Sequence, residues 1–141
     1  MGTFLCILAA TFLACAVARA DLYISEFLAE NTGGLTDSDG EFSDWIELFN
    51  SGPQSINLRG YFLTDDESAL SKWTFPATEL EPGQFLLAFA SGKDRRVAGE
   101  ELHTNFKIDK EGEYLALVAP DGITVISEFG ATGSPLPRQR P

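Results

Sequence analysis

Apolar and polar residues alternate with a period of two along much of the chain, a pattern typical of β-strands with one buried face. The clearest example is the stretch 44–50, in which Ile46 and Leu48 are predicted to point into a core. It ends at the turn formers of residues 50–53, where a proline breaks the ladder. The side chains predicted on the opposite face of this strand are Trp45, Glu47 and Phe49.

Other stretches alternate in the same way and are bounded by glycine, proline, asparagine or aspartate. Residues 84–90 are the most apolar and are predicted to form a central strand, while 113–118 and 123–129 flank a Pro-Asp-Gly turn and predict a hairpin. No stretch indicates a helix convincingly. About eight or nine short strands with frequent turns predict an all-β fold, an antiparallel sandwich or barrel. The remaining predicted strands are 22–28, 56–58, 61–64, 72–75 and a weak one at 103–108.

Residues 1–20 are predicted to be a secretory signal peptide. Residues 4–17 are almost continuously apolar, and Ala18 and Ala20 put small residues where a signal peptidase reads, so cleavage is predicted after Ala20. The apolar run is short for a transmembrane helix, which needs about 20 residues. An uncleaved anchor and lipid attachment at Cys15 are the alternatives. Cleavage predicts a secreted or cell-surface protein with no stable membrane span.

Composition narrows the class of partner. The formal net charge is −11, with 21 acidic against 10 basic residues, which argues against nucleic acid because phosphate binding needs a basic surface. Both cysteines, Cys6 and Cys15, lie in the leader, so the domain predicted over 21–130 must be stabilised by its core rather than by disulfides. Residues 131–141 are proline-rich and predicted to be a disordered tail.

An ordered set of short motifs resembles the lamin tail domain, an immunoglobulin-like β-sandwich. The likeness spans roughly residues 22–130, and the signal peptide and the Asp-Ser-Asp-Gly loop are similar to its secreted bacterial branch. It implies an immunoglobulin-like antiparallel sandwich and a non-catalytic adhesion or interaction module. The motifs are Ile24-Ser25-Glu26, then 44–50, 56–65, 72–76, 80–84 and 112–117.

Spaced carboxylates in the loop before strand 44–50 are the strongest candidate for chemistry. Calcium takes six to eight oxygen ligands, and a loop of acidic residues with a glycine supplies such oxygens. The spacing departs from an EF-hand, because the long bidentate glutamate is missing. Turn formation alone is the other interpretation of these residues. The candidate calcium ligands are Asp37, Asp39, Glu41, Asp44 and, from a second acidic loop, Asp65.

Other residues give weaker signals. Glu47 between two aromatic residues suggests a sugar contact, or a structural carboxylate that is hydrogen-bonded or paired with Arg59 or Lys72. His103 is the single histidine and is predicted at a loop or strand edge. A basic cluster at residues 93–96 is predicted to be a solvated loop. Six aromatic residues are expected mainly on the inner sheet faces: Trp45, Tyr61, Phe62, Trp73, Phe85 and Phe89.

Together these features predict an extracellular, non-catalytic module that binds protein or polysaccharide through loops or strand edges. One alternative is a calcium-stabilised structural module of the cell surface. The other is an extracellular hydrolase, which would require Glu47 or His103 beside a second catalytic group in a concave pocket.

Overall fold

A computed structural model of the protein describes residues 21–111 and 114–130. The predicted leader 1–20, the predicted tail 131–141 and the predicted strand start at Glu113 lie outside these residues. The described part contains ten strands, and no helix in it is long and apolar enough to cross a bilayer. The strands are β1 Leu22–Leu28, β2 Asp44–Asn50, β3 Ile56–Asn57, β4 Phe62–Thr64, β5 Trp73–Thr74, β6 Glu79–Leu80, β7 Phe85–Ala90, β8 Leu102–His103, β9 Leu115–Val118 and β10 Val125–Phe129.

The longer strands form two four-stranded sheets. The first has the order β1-β2-β7-β8 and the second the order β10-β9-β4-β5, while β3 and β6 form a separate ribbon. The two sheets meet at one side, where Ile24 N donates to Ser127 Oγ at 3.3 Å and the rings of Phe27 and Phe129 lie 5.3 Å apart. This arrangement confirms the predicted immunoglobulin-like β-sandwich.

The core is built from alternate residues of both sheets. Ile46 and Leu48 of β2 are fully buried, as their alternation predicts, and Leu115 and Leu117 of β9 are buried in the same cluster. Trp73 lies among them with its ring 4.8 Å from that of Phe75. Burying side chains of this size stabilises the fold by about 1.5–3 kcal/mol each. Core packing can therefore stabilise this domain, whose described residues contain no disulfide.

The outer face of the second sheet is covered by a small second cluster. Ala116 and Val118 of β9 point away from the main core but are fully buried. Phe62, Leu70 and Val125 pack over them. The loop that carries Leu70 therefore closes this face of the sandwich from solvent.

Three features differ from the sequence prediction. The described residues contain ten strands rather than eight or nine, because β6 lies directly before the Pro82–Gly83 turn and shows no alternation of its own. One pair is parallel, since β8 joins β7 in parallel register. The predicted strand 103–108 is wrong beyond His103, because Thr104 Oγ1 donates to Phe106 O at 2.7 Å and turns the backbone.

Replacing Ile46 by Asp is expected to unfold the domain, at a cost of about 4 kcal/mol or more, because an unpaired charge would enter a position that is 0 % exposed. The matched control is Ile123→Asp, at a turn position that is 75 % exposed. Thermal melting followed by circular dichroism measures both variants. A native-like melt for I46D would contradict the placement of β2.

Candidate functional site

Asp37 organises the acidic loop that precedes β2. Its Oδ1 accepts the backbone N–H groups of Asp39 at 3.0 Å and Glu41 at 3.1 Å, and its Oδ2 accepts the hydroxyl of Ser43 at 2.7 Å. Gly40, with φ of 80°, lets the loop reverse, and its N–H donates to Asp37 O. These bonds turn the acidic side chains toward a common point.

The ammonium group of Lys93 lies at that point. Lys93 Nζ is 2.6 Å from Asp37 Oδ2, 2.6 Å from Asp39 Oδ2 and 2.8 Å from Glu41 Oε2. Arg95 adds a second contact to Asp39 at 2.7 Å. The side chain of Asp37 is 0 % exposed and that of Lys93 is 19 % exposed, so this pair is held largely away from water, while Asp39 and Glu41 are exposed at the rim of the cluster. A lysine therefore supplies the positive charge that these three carboxylates require.

The electrostatics of the cluster favour its charged form. Burial raises the pKa of Asp37, but hydrogen bonds from Lys93, Ser43 and two backbone N–H groups outweigh burial and hold that pKa well below its usual range. Burial lowers the pKa of Lys93, and its hydrogen bonds to Asp37, Asp39 and Glu41 raise it above its usual value. Both partners are therefore ionised at neutral pH.

The remaining predicted calcium ligands lie elsewhere. Asp44 Oδ1 accepts the backbone N–H of Asn31 at 3.0 Å, and Asp65 is paired with Lys72 Nζ at 2.6 Å. Asp44 and Asp65 line one cavity of about 500 Å³ together with Glu30. Within the described residues, the acidic groups close enough to share one ion are Asp37, Asp39 and Glu41. The two acidic loops thus approach each other without joining, and calcium binding stays a prediction.

Lys93 is the site residue that the sequence did not reveal. The basic cluster at 93–96 is predicted to be solvated, yet Lys93 enters the acidic loop and Arg96 pairs with Asp94 at 2.6 Å. Lys93 and Asp37 are 56 positions apart. The sequence does show that the two loops carry opposite charges. Opposite charge alone, however, does not show that the loops are in contact.

His103 lies at a strand edge, as the sequence predicts, but its side chain is buried there. It lies in β8, is 0 % exposed, and stacks on Phe89 with ring centroids 5.4 Å apart. Ser91 Oγ is 2.8 Å from His103 Nδ1, and Glu101 Oε1 is 2.9 Å from Nε2. Glu101 also accepts the N–H and hydroxyl of Ser38. The histidine therefore ties β8 to the acidic loop.

The outer face of the first sheet carries a row of aromatic rings at the end away from Lys93 and His103. Tyr23, Phe49 and Phe85 are paired across β1, β2 and β7 in the strand register. The Phe49 and Phe85 rings stack at 4.4 Å, and Tyr23 meets Phe49 edge-on at 5.7 Å. Phe85 is 59 % exposed. We call these three residues the aromatic row.

Two carboxylates lie beside the aromatic row. Glu26 and Glu47 face each other across β1 and β2, and Ser25 Oγ donates to Glu47 Oε1 at 2.7 Å. Glu47 is thus hydrogen-bonded, as its structural interpretation predicts, while Lys72 pairs with Asp65 instead of Glu47. The ion pairs formed by the described residues include neither Glu26 nor Glu47. Like charges directly opposite each other in a sheet are destabilising. Within the described part of the chain, this face therefore combines exposed apolar area with negative charge that no cation balances.

The six aromatic residues predicted on the inner faces divide between several environments. Trp73 lies in the core and Tyr61 packs against it. Phe62 belongs to the second cluster, and Phe89 is buried against His103. Phe85 and Trp45 stand on the outward face of the first sheet. The inward prediction therefore holds for Trp73 and Tyr61 and is wrong for the other four, which lie on the outer sheet faces, where Phe85 is largely exposed.

Replacing Lys93 by Met is expected to lower the free energy of unfolding by about 3 kcal/mol, because it leaves the buried Asp37 carboxylate without a cation. Urea denaturation at neutral pH measures the change. The matched control is Lys110→Met, whose partner Glu30 is exposed, with an expected change within about 0.5 kcal/mol.

The same variant tests calcium. Carboxylate oxygens bind Ca²⁺ at about 2.3–2.6 Å, so the ion would need the position of the Lys93 ammonium. Millimolar calcium is expected to raise the melting temperature of K93M and to leave that of the native chain nearly unchanged. Equal shifts in both proteins would show that calcium binds elsewhere.

Replacing Asp37 by Asn is expected to make the free energy of unfolding fall less steeply as the pH is lowered. The folded-state pKa of Asp37 lies below its usual value, so its contribution is complete above the unfolded pKa of about 3.9 and is lost as the pH falls below it. Urea midpoints measured between about pH 7 and pH 2 compare D37N with the native chain. Parallel losses of stability would contradict a stabilising role for the Asp37 carboxylate.

Comparison with known proteins identifies the family to which the chain is related. The model of the family described as Lamin Tail Domain matches residues 16–133, which is most of the sequence and begins inside the predicted leader. No match was found among curated proteins. The family is an immunoglobulin-like, non-enzymatic domain, which fits the two sheets described above. The chain belongs to the Lamin Tail Domain family.

Proposed function

We propose that the protein is a non-catalytic extracellular binding module that takes a basic protein segment on the outer face of its first sheet. The observation that carries the proposal is the aromatic row, exposed at Phe85 beside the carboxylates of Glu26 and Glu47, for which the described residues provide no cation. Exposed apolar area rimmed by polar groups marks interaction sites. Membership of the Lamin Tail Domain family supports a non-catalytic binding module and does not specify the partner.

Neither the strand edges nor the second sheet offers a comparable surface in the described part of the chain. The edge strands β5 and β8 have 2 residues each, which is short for pairing with an added strand. β1 lies against β10 through Ile24 and Ser127. The second sheet is covered on its outer side by Phe62 and Leu70. The open end of the first sheet is therefore the favoured site.

The ring geometry favours protein over polysaccharide. A sugar stacks on the open face of an aromatic ring, whereas Phe49 and Phe85 stack on each other at an interplanar angle of 30°. The faces that these two rings turn toward each other are therefore closed to a sugar. Apolar side chains pack against aromatic rings with fewer geometric demands than a sugar ring.

The charge of the surface favours a basic partner. Glu26 and Glu47 are opposite each other, and the whole chain carries a net charge of −11. An arginine or lysine between the two glutamates would relieve their repulsion and form charge-assisted hydrogen bonds. Opposite charges also accelerate encounter, so the association rate should fall with added salt.

The Ser91–His103–Glu101 arrangement supports a structural role better than hydrolysis. Both nitrogens of His103 already have partners, and its side chain is closed from solvent. Ser91 Oγ also accepts the backbone N–H of Lys93 at 3.2 Å, so its lone pair is engaged in holding the loop. We assign a structural role to Ser91, His103 and Glu101, which hold β8 and the loop that carries Lys93 in place.

A display library of random peptides tests the function without a known partner. Peptides with arginine or lysine next to apolar residues are expected to be enriched on the chain from Asp21 onward. Their affinity should fall about tenfold in Phe85→Ala, since truncating a central aromatic anchor costs ~1–2 kcal/mol. The double variant E26Q/E47Q should weaken binding and reduce its dependence on salt.

The control is Val97→Ala, which removes an exposed apolar side chain from the loop between β7 and β8, beyond the end of β7 opposite to Phe85, and should leave affinity unchanged. A polysaccharide array run in parallel covers the other predicted partner class. Polysaccharide binding that persists in F85A, with no selected peptide, would overturn the proposal.

A further inference from the structure

We propose that the outer face of the first sheet selects an arginine of its partner in preference to a lysine, and that Ser25 positions the carboxylates that make this choice. The inference deepens the proposed function and rests on it in taking this face as a binding surface. It narrows the partner from a basic segment to one that places a guanidinium group between Glu26 and Glu47, with apolar residues beside it.

A β-bulge in β1 creates the carboxylate pair. Ile24 is buried, and strict alternation along the strand would turn Glu26 toward the core as well. The register with β2 shifts between these two residues, so that Ser25 and Glu26 both lie opposite the single residue Glu47. Phe27 then takes the buried position, and Glu26 is exposed on the outer face. Bulges re-aim side chains in this way beside functional sites.

Ser25, the extra residue of the bulge, holds Glu47 in place. Ser25 Oγ donates to Glu47 Oε1 at 2.7 Å and lies 3.2 Å from the backbone oxygen of the same residue. Within the described residues, the other carboxylate oxygen of Glu47 has no hydrogen-bond partner. A side chain that is fixed before binding loses less conformational entropy when a ligand arrives. Ser25 therefore prepares one carboxylate oxygen for a partner.

The carboxylate pair lies in the middle of an apolar face. The aromatic row borders it on one side, and Leu28 and Trp45 border it on the other, two positions farther along β1 and β2. Leu87 of β7 is paired with Glu47. A partner that covers this face would enclose both carboxylates among apolar groups, where unpaired charges are costly. Such a partner must therefore supply a cation at this position.

The arrangement of the two carboxylates favours a guanidinium group over an ammonium group. Residues opposite each other in an antiparallel pair have Cβ atoms about 4.5–5.5 Å apart, so one planar group can reach both Glu26 and Glu47. Guanidinium presents several N–H donors in one plane, is more weakly hydrated than ammonium, and stacks on aromatic rings. Phe85, with an exposed ring, lies in the next row. An ammonium group would lose more hydration for fewer bonds.

Two display libraries test the preference on the chain from Asp21 onward. Their short peptides are random except for a central residue, which is arginine in one library and lysine in the other. Enrichment is expected from the arginine library. Changing that arginine to lysine in the best peptide should weaken binding about tenfold by titration calorimetry. In E26Q/E47Q the ratio of the two affinities should approach one.

The role of Ser25 has its own variants. Ser25→Ala should lower the arginine-to-lysine affinity ratio about threefold, and S25T, which keeps the hydroxyl, should retain it. The matched control is S55A, which removes another serine–glutamate bond, from Ser55 Oγ to Glu79 Oε2 at 2.9 Å in the β3–β6 ribbon. A general loss of stability weakens both peptides alike and leaves the ratio unchanged. An unchanged ratio in S25A would overturn the positioning role.

The outcomes separate this inference from the proposed function. Equal enrichment of the two libraries, or stronger enrichment with lysine, would overturn the preference for arginine and leave the binding face standing. Arginine peptides whose affinity is unaffected in E26Q/E47Q would also overturn it, because they would be recognised elsewhere. Enrichment from neither library would overturn the proposed function itself, and the preference with it.

Discussion

Strand β2 constrains the whole domain, because it is hydrogen-bonded to β1 on one side and to β7 on the other. Its alternation sends Ile46 and Leu48 into the core and Glu47 and Phe49 to the outer face. A shift of register by one residue would exchange these sets and place a carboxylate in the core. The packing of the sandwich and the composition of its open face are therefore consequences of one seven-residue pattern.

The Lys93 cluster explains why the two ends of this outer face differ. Asp37 holds the loop before β2, and Lys93 and Glu101 connect that loop to the segments around β8. His103 and Phe89 lie buried at this end. At the opposite end no loop of the described residues covers Phe85, which is exposed. Ion pairing at one end of the sheet thus leaves the other end as the proposed binding surface.

Local pattern was enough to predict most of the fold. β1 and β2 begin and end where alternation and turn residues predict, because each buries one face, although a bulge between Ile24 and Glu26 shifts the period in β1. β6 and β8 have 2 residues each, too few to show a period, and tertiary pairing alone creates them. The acidic candidates Asp37, Asp39 and Glu41 do converge. Their cation could not be predicted, since Lys93 belongs to a distant loop.

The contact between the first and last strands has a consequence for biosynthesis. Ile24 N is bonded to Ser127 Oγ across 103 positions, so this side of the sandwich closes only after β10 has been synthesised. Until Phe129 has left the ribosome, the edge of β1 and the ring of Phe27 lack their cover. Contacts this distant form slowly and leave sheet edges open to aggregation meanwhile. The nascent chain is therefore prone to aggregation until β10 has been synthesised and has packed against β1.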